Sequence, residues 1–275
     1  MNKRIVLCAD DYGQAPTVSQ GIINLIQQGR LSATSCMVNT TYWAEHAKWL
    51  APFRQQIDIG LHFNLTEGKA LSQGYARAHG SELQPLSRLL CNAFLRKLDR
   101  VAIEAECHAQ IDRFSEATGI LPSYIDGHQH IHQFPIIREA VIHVYAKRLR
   151  LQNAYVRLVN GKLKIKDFVN DYKKIIIYAT GVKALKLRLE QHNIPYNQSF
   201  AGIYAFARAS EYSTLFPQFL REIDDQGLIM CHPGLNVSNA SDVIANARFK
   251  EYQYFASNQF LEDCQEQKVS ITRFF

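Results

Sequence analysis

The chain has 275 residues, 47% of them hydrophobic, enough for one sizeable core and consistent with a single α/β domain over residues 1–275. Much of its formal charge excess of +6 lies between Lys147 and Arg188, where basic and aromatic residues form no recognisable nucleic-acid motif, which argues against nucleic acid and for solvated helix faces or, more weakly, attraction of an anionic glycan or membrane headgroups. No apolar run is long enough to span a membrane, the one after Lys3-Arg4 is too short for a signal peptide, and the six cysteines form no Cys-x-x-Cys pair, so a cytoplasmic, reducing setting is expected.

Ile5 to Ala9 is an unbroken apolar run, as in a strand buried on both faces, and it stops on Asp10-Asp11. Two adjacent carboxylates at the end of a core strand need a cation, donors or a catalytic task, unless one merely caps the next helix. Val18, Ile22, Leu25 and Ile26 then fall at helical spacing before Gly29. Ala33 to Val38 predicts a second buried strand ending at Asn39, and Trp43, Ala47 and Leu50 a short helix stopped near Pro52. Ile57 to Leu65 alternates, with Asp58, Gly60, His62 and Asn64 on one face. Thr66 to Pro85 lacks a period and predicts a long surface loop in which Tyr75 and His79 shape a pocket.

Helical patterning resumes from Leu86 to Thr118, with a break near Asp99 and a stop at Gly119. Ser123 to His128 predicts a strand running into Asp126-Gly-His-Gln-His-Ile-His132, and Pro135 opens a helix with Ile137, Val141 and Val144 as its buried stripe. Ala154 to Val159 predicts a strand carrying Arg157. Phe168 to His192 is helical in composition, although Lys173 to Tyr178 fits a strand equally. Phe200 to Phe206 is a short strand or turn, and Tyr212 to Ile223 a helix. Leu228 to Cys231 is a buried strand ending in His232-Pro-Gly234. Asp242 to Leu261 predicts a helix and Val269 to Phe275 a last strand.

Strands alternating with helices imply a parallel sheet with crossover helices, whose chemistry gathers at the carboxyl ends of the strands. Asp10-Asp11, His62, Asp126 to His128 and His232 each fall at such an end. One carboxylate and two imidazoles from separate strands make a catalytic metal site with open positions, and Asp11, His62 and His128 can supply it. In an extended chain His128, His130 and His132 point the same way, so spacing does not choose among them, and a His-x-His pair stays open. The metal acidifies a water and polarises a substrate oxygen. Asp10, on the other side of the strand unless its end twists, is placed to take the proton, and His232 to give one. Asp126 either orients an imidazole or belongs to a turn. Asn39 and Asn64 either bind substrate or finish strands, and Arg157 is either a substrate anchor or a surface charge. No phosphate-binding loop, dinucleotide fingerprint or nucleophile elbow is present.

Together, Ala9-Asp-Asp-Tyr-Gly13, Gly60-Leu-His-Phe-Asn-Leu-Thr66, Asp126-Gly-His-Gln-His-Ile-His132 with Phe134-Pro135, and Cys231-His-Pro-Gly234 resemble the YdjC-like carbohydrate deacetylases. That family includes the chitooligosaccharide and hopanoid-biosynthesis-associated deacetylases, and the match in order and spacing runs from the first strand to at least Gly234. The resemblance implies a distorted (β/α) barrel of the polysaccharide-deacetylase kind with about seven parallel strands, often dimeric, so a homodimer is expected. It implies one divalent metal ion, Mg2+ or Zn2+, held by Asp11, His62 and His128, with Asp10 as base and His232 as acid. His130 joins Asn39, Asn64, Asp126 and Arg157 as a substrate-binding or supporting candidate. Gly127 stands where members often carry Ser. The implied reaction removes an acetyl group from an N-acetylated sugar or oligosaccharide. The alternatives are another metal-dependent amidohydrolase or phosphoesterase, or a sugar-binding protein without turnover.

Overall fold

The computed structural model describes residues 2–161, 177–235 and 242–274. Residues 173–176 of the strand alternative at Lys173–Tyr178, the first part of the expected Phe168–His192 helix and part of the basic stretch lie outside them, and Ile177 and Tyr178 are helical. Within them, Val182–Gln191 is helical.

The strands are β1 (Lys3–Tyr12), β2 (Ala33–Cys36), β3 (Asp58–Phe63), β4 (Tyr124–Gly127), β5 (Tyr155–Val156), β6 (Phe200–Ala201), β7 (Gly227–Cys231) and β8 (Val269–Ile271). They form one sheet in the order β5-β4-β3-β2-β1-β7-β6, with β8 added to β1 and every pairing parallel. β1 is the central strand. β7 lies along one edge of it, from Ile5 to Ala9. On the other edge Thr272 N donates to Ile5 O and Ser32 N to Leu7 O. Carbonyls two residues apart leave a strand on the same side, so β8 and β2 share that edge end to end. With both edges paired and its side chains in the packed core, β1 is buried from Ile5 onward.

The sheet closes through a backbone hydrogen bond and an amide side chain. Val156 N donates to Pro195 O at 2.9 Å. Asn197 accepts from Leu158 N at 2.8 Å and donates to the carbonyls of Leu158 and Ser199, each at 2.8 Å. An amide side chain thus stands in for a rung of the ladder between the β5 and β6 ends, and the barrel is distorted at that seam. Inside, Tyr124 lies flat on Gly60, where an added Cβ would come within 2.3 Å of its ring. The Tyr124 hydroxyl reaches Cys8 Sγ and Ser35 Oγ, each at 2.9 Å.

Several elements differ from the periodicity. The stretch after Thr66 is not all loop: Gln73–His79 is a helix, capped by Ser72 Oγ accepting from Tyr75 N. Tyr75 is buried, and His79 Nε2 accepts from Asp99 N, so both serve packing rather than a pocket. Asp99 is the N-cap of helix Arg100–Thr118, which explains the break there, and Gly119 ends it at φ 72°. The single helix expected over Asp242–Leu261 is two, Ala245–Ala256 and Asn258–Glu266, parted at Ser257, whose backbone is extended. The last strand stops at Ile271.

Candidate metal centre and active site

β1 does not run straight through its carboxylates. Asp11 adopts a left-handed backbone, φ 67°, and the β1–β2 register slips between Ala9 and Tyr12. Such a conformation is uncommon for a non-glycine residue and persists where surrounding contacts enforce it. Gly13, at φ 90°, completes the turn, and a Cβ there would lie 2.8 Å from Met37 O. The two carboxylates therefore do not simply go to opposite faces. Both line one cavity, each with its own set of partners.

Asp11 Oδ1 lies 3.3 Å from His62 Nε2 and 3.1 Å from His128 Nδ1, while Oδ2 accepts from Arg248 Nη2 at 2.7 Å. Burial alone would raise its carboxyl, but Arg248 and the two imidazoles hold it well below the usual carboxylate range. Asp10 meets Arg157 in a two-pronged pair, Oδ2 to Nη1 and Oδ1 to Nη2, each at 2.6 Å. Against burial, that guanidinium also holds Asp10 low.

His62 stands on β3. Its Nδ1 faces Asp126 Oδ1 at 2.6 Å, and Asp126 Oδ2 accepts from Ser35 Oγ at 2.5 Å and Arg157 Nη2 at 2.7 Å. Burial disfavours the imidazolium, yet Asp126 and Asp10 outweigh it and lift His62 to about 10. His128 begins where β4 ends, and the three histidines do not continue as an extended chain. Residues His128–Gln133 form a 3-10 turn with Gln129 and His130 left-handed, at φ 54° and 60°. That turn sends the rings different ways. His128 faces Asp11 and, through Nε2, Glu67 Oε1 at 3.0 Å. His130 sits edge-on to Phe200 in the cavity wall. His132 Nε2 pairs with the carbonyl of Arg157 at 2.9 Å, away from the cavity.

A donor atom from each of Asp11, His62 and His128 lies within 4.8 Å of the others, and all three residues are buried. One carboxylate and two imidazoles, with His62 further oriented by Asp126, suit a divalent ion such as Zn2+. Cys8, Asp10 and Asp126 cluster equally closely, but Arg157 Nη2 already supplies their cation, 2.6 Å from Asp10, 2.7 Å from Asp126 and 3.0 Å from Cys8.

His232 follows β7 into the same cavity, packed edge-on against Phe206 at 5.4 Å. Burial pushes its imidazole down to about 4 despite Asp11 and Asp10, so it is neutral near pH 7. Its backbone N–H donates to Glu251 Oε2 at 2.5 Å, and Tyr204 Oη donates to Glu251 Oε1 at 2.6 Å.

A family model for YdjC-like proteins matches residues 4–266. The chain belongs to the YdjC-like family. A chitooligosaccharide deacetylase of Yersinia pestis (strain Pestoides F) is 29% identical over 250 residues, covering 85% of this chain and 82% of that protein. A carbohydrate deacetylase of Danio rerio is 35% identical over 153 residues, 51% of this chain and 46% of that protein. One from Mus musculus is 36% identical over 154 residues, 54% of this chain and 47% of that protein, so the match spans about half the length of both vertebrate relatives. A crystal structure from Enterococcus faecalis V583, of a suggested cellobiose-phosphate cleavage protein, shares the fold at TM-score 0.75 and 19% identity over 99% of this chain and 98% of its own.

In this YdjC-like chain the cavity measures about 790 Å3, within the range of small-molecule sites, and Tyr42, Tyr204 and Phe206 give it aromatic walls. Asn39 and Asn64 do not line it. Asn64 Oδ1 accepts from Thr66 N and Glu67 N, its Nδ2 donates to Asn39 Oδ1, and both amides donate to Glu67 O. Arg157 neither lines the cavity nor lies at the surface; it is fully buried beneath the two carboxylates.

Three residues escaped the sequence reading: Glu67, Arg248 and Glu251. The last two lie three apart on helix Ala245–Ala256 and share its buried face with Phe255. A charged pair on an apolar stripe was the available signal. Arg248 grips Asp11, and Glu251 grips the backbone of His232. Glu251→Leu is expected to leave the His232 N–H and Tyr204 hydroxyl unpaired, lowering the unfolding free energy by about 1–3 kcal/mol. A urea midpoint equal to wild type would show that neither donor depends on it.

Proposed function

We propose that the protein hydrolyses the acetamide of an N-acetylated sugar or oligosaccharide, releasing acetate and the free amine. The observation that carries this reading is the convergence on one cavity of an Asp-His-His donor set, a second carboxylate held ionised, and a neutral imidazole. The Yersinia and vertebrate relatives, named as deacetylases of chitooligosaccharides and carbohydrates, supply the substrate class.

Asp11, His62 and His128 would hold one divalent ion, Mg2+ or Zn2+, which when bound polarises the substrate carbonyl and acidifies a water. Asp10 faces the same cavity and takes the proton of the attacking water. Arg157 keeps that carboxylate ionised and fixed in direction, though it also weakens it as a base. His232 gives a proton to the departing nitrogen. Being neutral at rest, it must first collect that proton within the cycle, and Asp10 is the donor the cavity offers. The aromatic walls suit the apolar faces of sugar rings. We further read the chain as one cytoplasmic domain acting as a homodimer, a setting consistent with six free cysteines.

The purified protein is expected to release acetate from N-acetylglucosamine oligomers, to stop when a chelator is added, and to resume with Zn2+ or Mg2+. No acetate from any of a panel of N-acetyl sugars would sink the reading. Phosphate release from sugar phosphates would favour a phosphoesterase instead.

A further inference from the structure

We propose that Glu67 is the positioning residue of His128: it holds the proton on Nε2 and so presents Nδ1, beside Asp11, as the metal donor. The inference rests on the metal centre proposed above. Glu67 Oε1 lies 3.0 Å from His128 Nε2, and Asp11 Oδ1 lies 3.1 Å from His128 Nδ1. An imidazole that binds a metal carries one proton, and an outer carboxylate keeps it on the nitrogen it faces. His62 follows the same rule with its nitrogens exchanged. Asp126 stands 2.6 Å from Nδ1, and Nε2 is the nitrogen turned to Asp11, at 3.3 Å. The two rings thus offer unlike nitrogens to one carboxylate, because one comes from within β3 and the other from the turn after β4.

Glu67 has a fixed backbone although 44% of its side chain is exposed. Asn64 Oδ1 receives Glu67 N at 3.1 Å, and its Nδ2 donates to Glu67 O at 2.8 Å. Asn39 Nδ2 donates to the same carbonyl at 2.9 Å. Buried Gln110 in turn accepts from Asn64 N at 3.1 Å and donates to Asn64 O at 2.7 Å. A solvated surface glutamate needs no such scaffold.

The side chain also completes a ring of contacts. Gln14 Nε2 donates to Glu67 Oε2 at 3.3 Å, and Gln14 Oε1 accepts from Arg248 Nη2 at 2.7 Å. The same Nη2 donates to Asp11 Oδ2 at 2.7 Å, and Asp11 Oδ1 returns to His128. Removing Glu67 opens this ring at His128 and at Gln14, while the Arg248–Asp11 link and the His62–Asp126 pair stay whole.

The test is Zn2+ affinity by competition with a chromophoric chelator, on the full chain. Glu67→Ala is expected to weaken Zn2+ binding about 10–100-fold, with the melting temperature of the metal-free protein unchanged. Glu67→Gln, which keeps an acceptor but not the charge, should fall between the two. In the zinc-loaded wild type, imidazole 15N spectra should find His128 protonated on Nε2. Zn2+ affinity within twofold of wild type in both variants, or a His128 proton on Nδ1, overturns the proposal. A wild type that takes up no Zn2+ overturns the metal centre itself, before any variant is compared.

Discussion

Arg157→Met is expected to lower the unfolding free energy by about 3–5 kcal/mol, read as a lower urea midpoint at unchanged slope. Arg157 is fully buried and is the cation shared by Asp10 and Asp126. Methionine fills similar space but strands two carboxylates in the core, where an uncompensated charge is far costlier than a lost surface pair. The pH dependence carries the sign. In the wild type Asp10 titrates below the ordinary aspartate value of about 3.9, despite burial, because of Arg157. Its contribution is therefore present above that value and lost as the pH falls through the lower native one. Without Arg157 the burial that raises this carboxyl is opposed only by the lesser pull of His62 and His232, and the native carboxyl is expected to titrate above the unfolded one. The variant should then gain stability as the pH falls from 7 toward 4, a range over which this contribution is level in the wild type. A variant with the wild-type midpoint at pH 7, or with no such gain, would show that Arg157 does not hold Asp10 ionised.

Asp10→Asn is expected to reduce acetate release by about 10²–10⁴-fold, the range for removal of a general base, while Zn2+ uptake stays close to wild type. The side chain keeps its shape but loses its capacity to accept a proton. Asp10 is not one of the three clustered donors, Asp11, His62 and His128, so the metal centre should be spared. The exchange also removes one of the two charges that Arg157 balances, so a melting curve must accompany the assay. Unchanged release from a folded variant would remove Asp10 from the proton step. Loss of Zn2+ binding together with turnover would place Asp10 among the donors.

The strand-and-helix order was legible because burial leaves local marks. Ile5 to Ala9 is apolar throughout, since both faces of β1 are covered, and Asp99 and Gly119 bracket a helix by capping its orphan backbone groups. The strand-end residues were legible for the same reason, as each interrupts or ends an apolar run. The loop after Thr66 was less so. Its helix is short and is held by contacts with helix Arg100–Thr118, where Glu106 accepts from Leu71 N and Ser72 N.

What the sequence by itself determined, then, is the parallel α/β plan and the set of carboxylates and imidazoles that reach the barrel mouth, because both follow from neighbours along the chain. The tertiary structure decided how those groups divide. The left-handed Asp11 separates its partners from those of Asp10, and the 3-10 turn after Gly127 picks His128 out of three evenly spaced histidines. It also decided that Arg157 is an interior cation and that Glu67, Arg248 and Glu251 belong to the site. The physical reason is that the energy of a charged side chain depends on what surrounds it, and here every decisive neighbour arrives from another strand end or another helix.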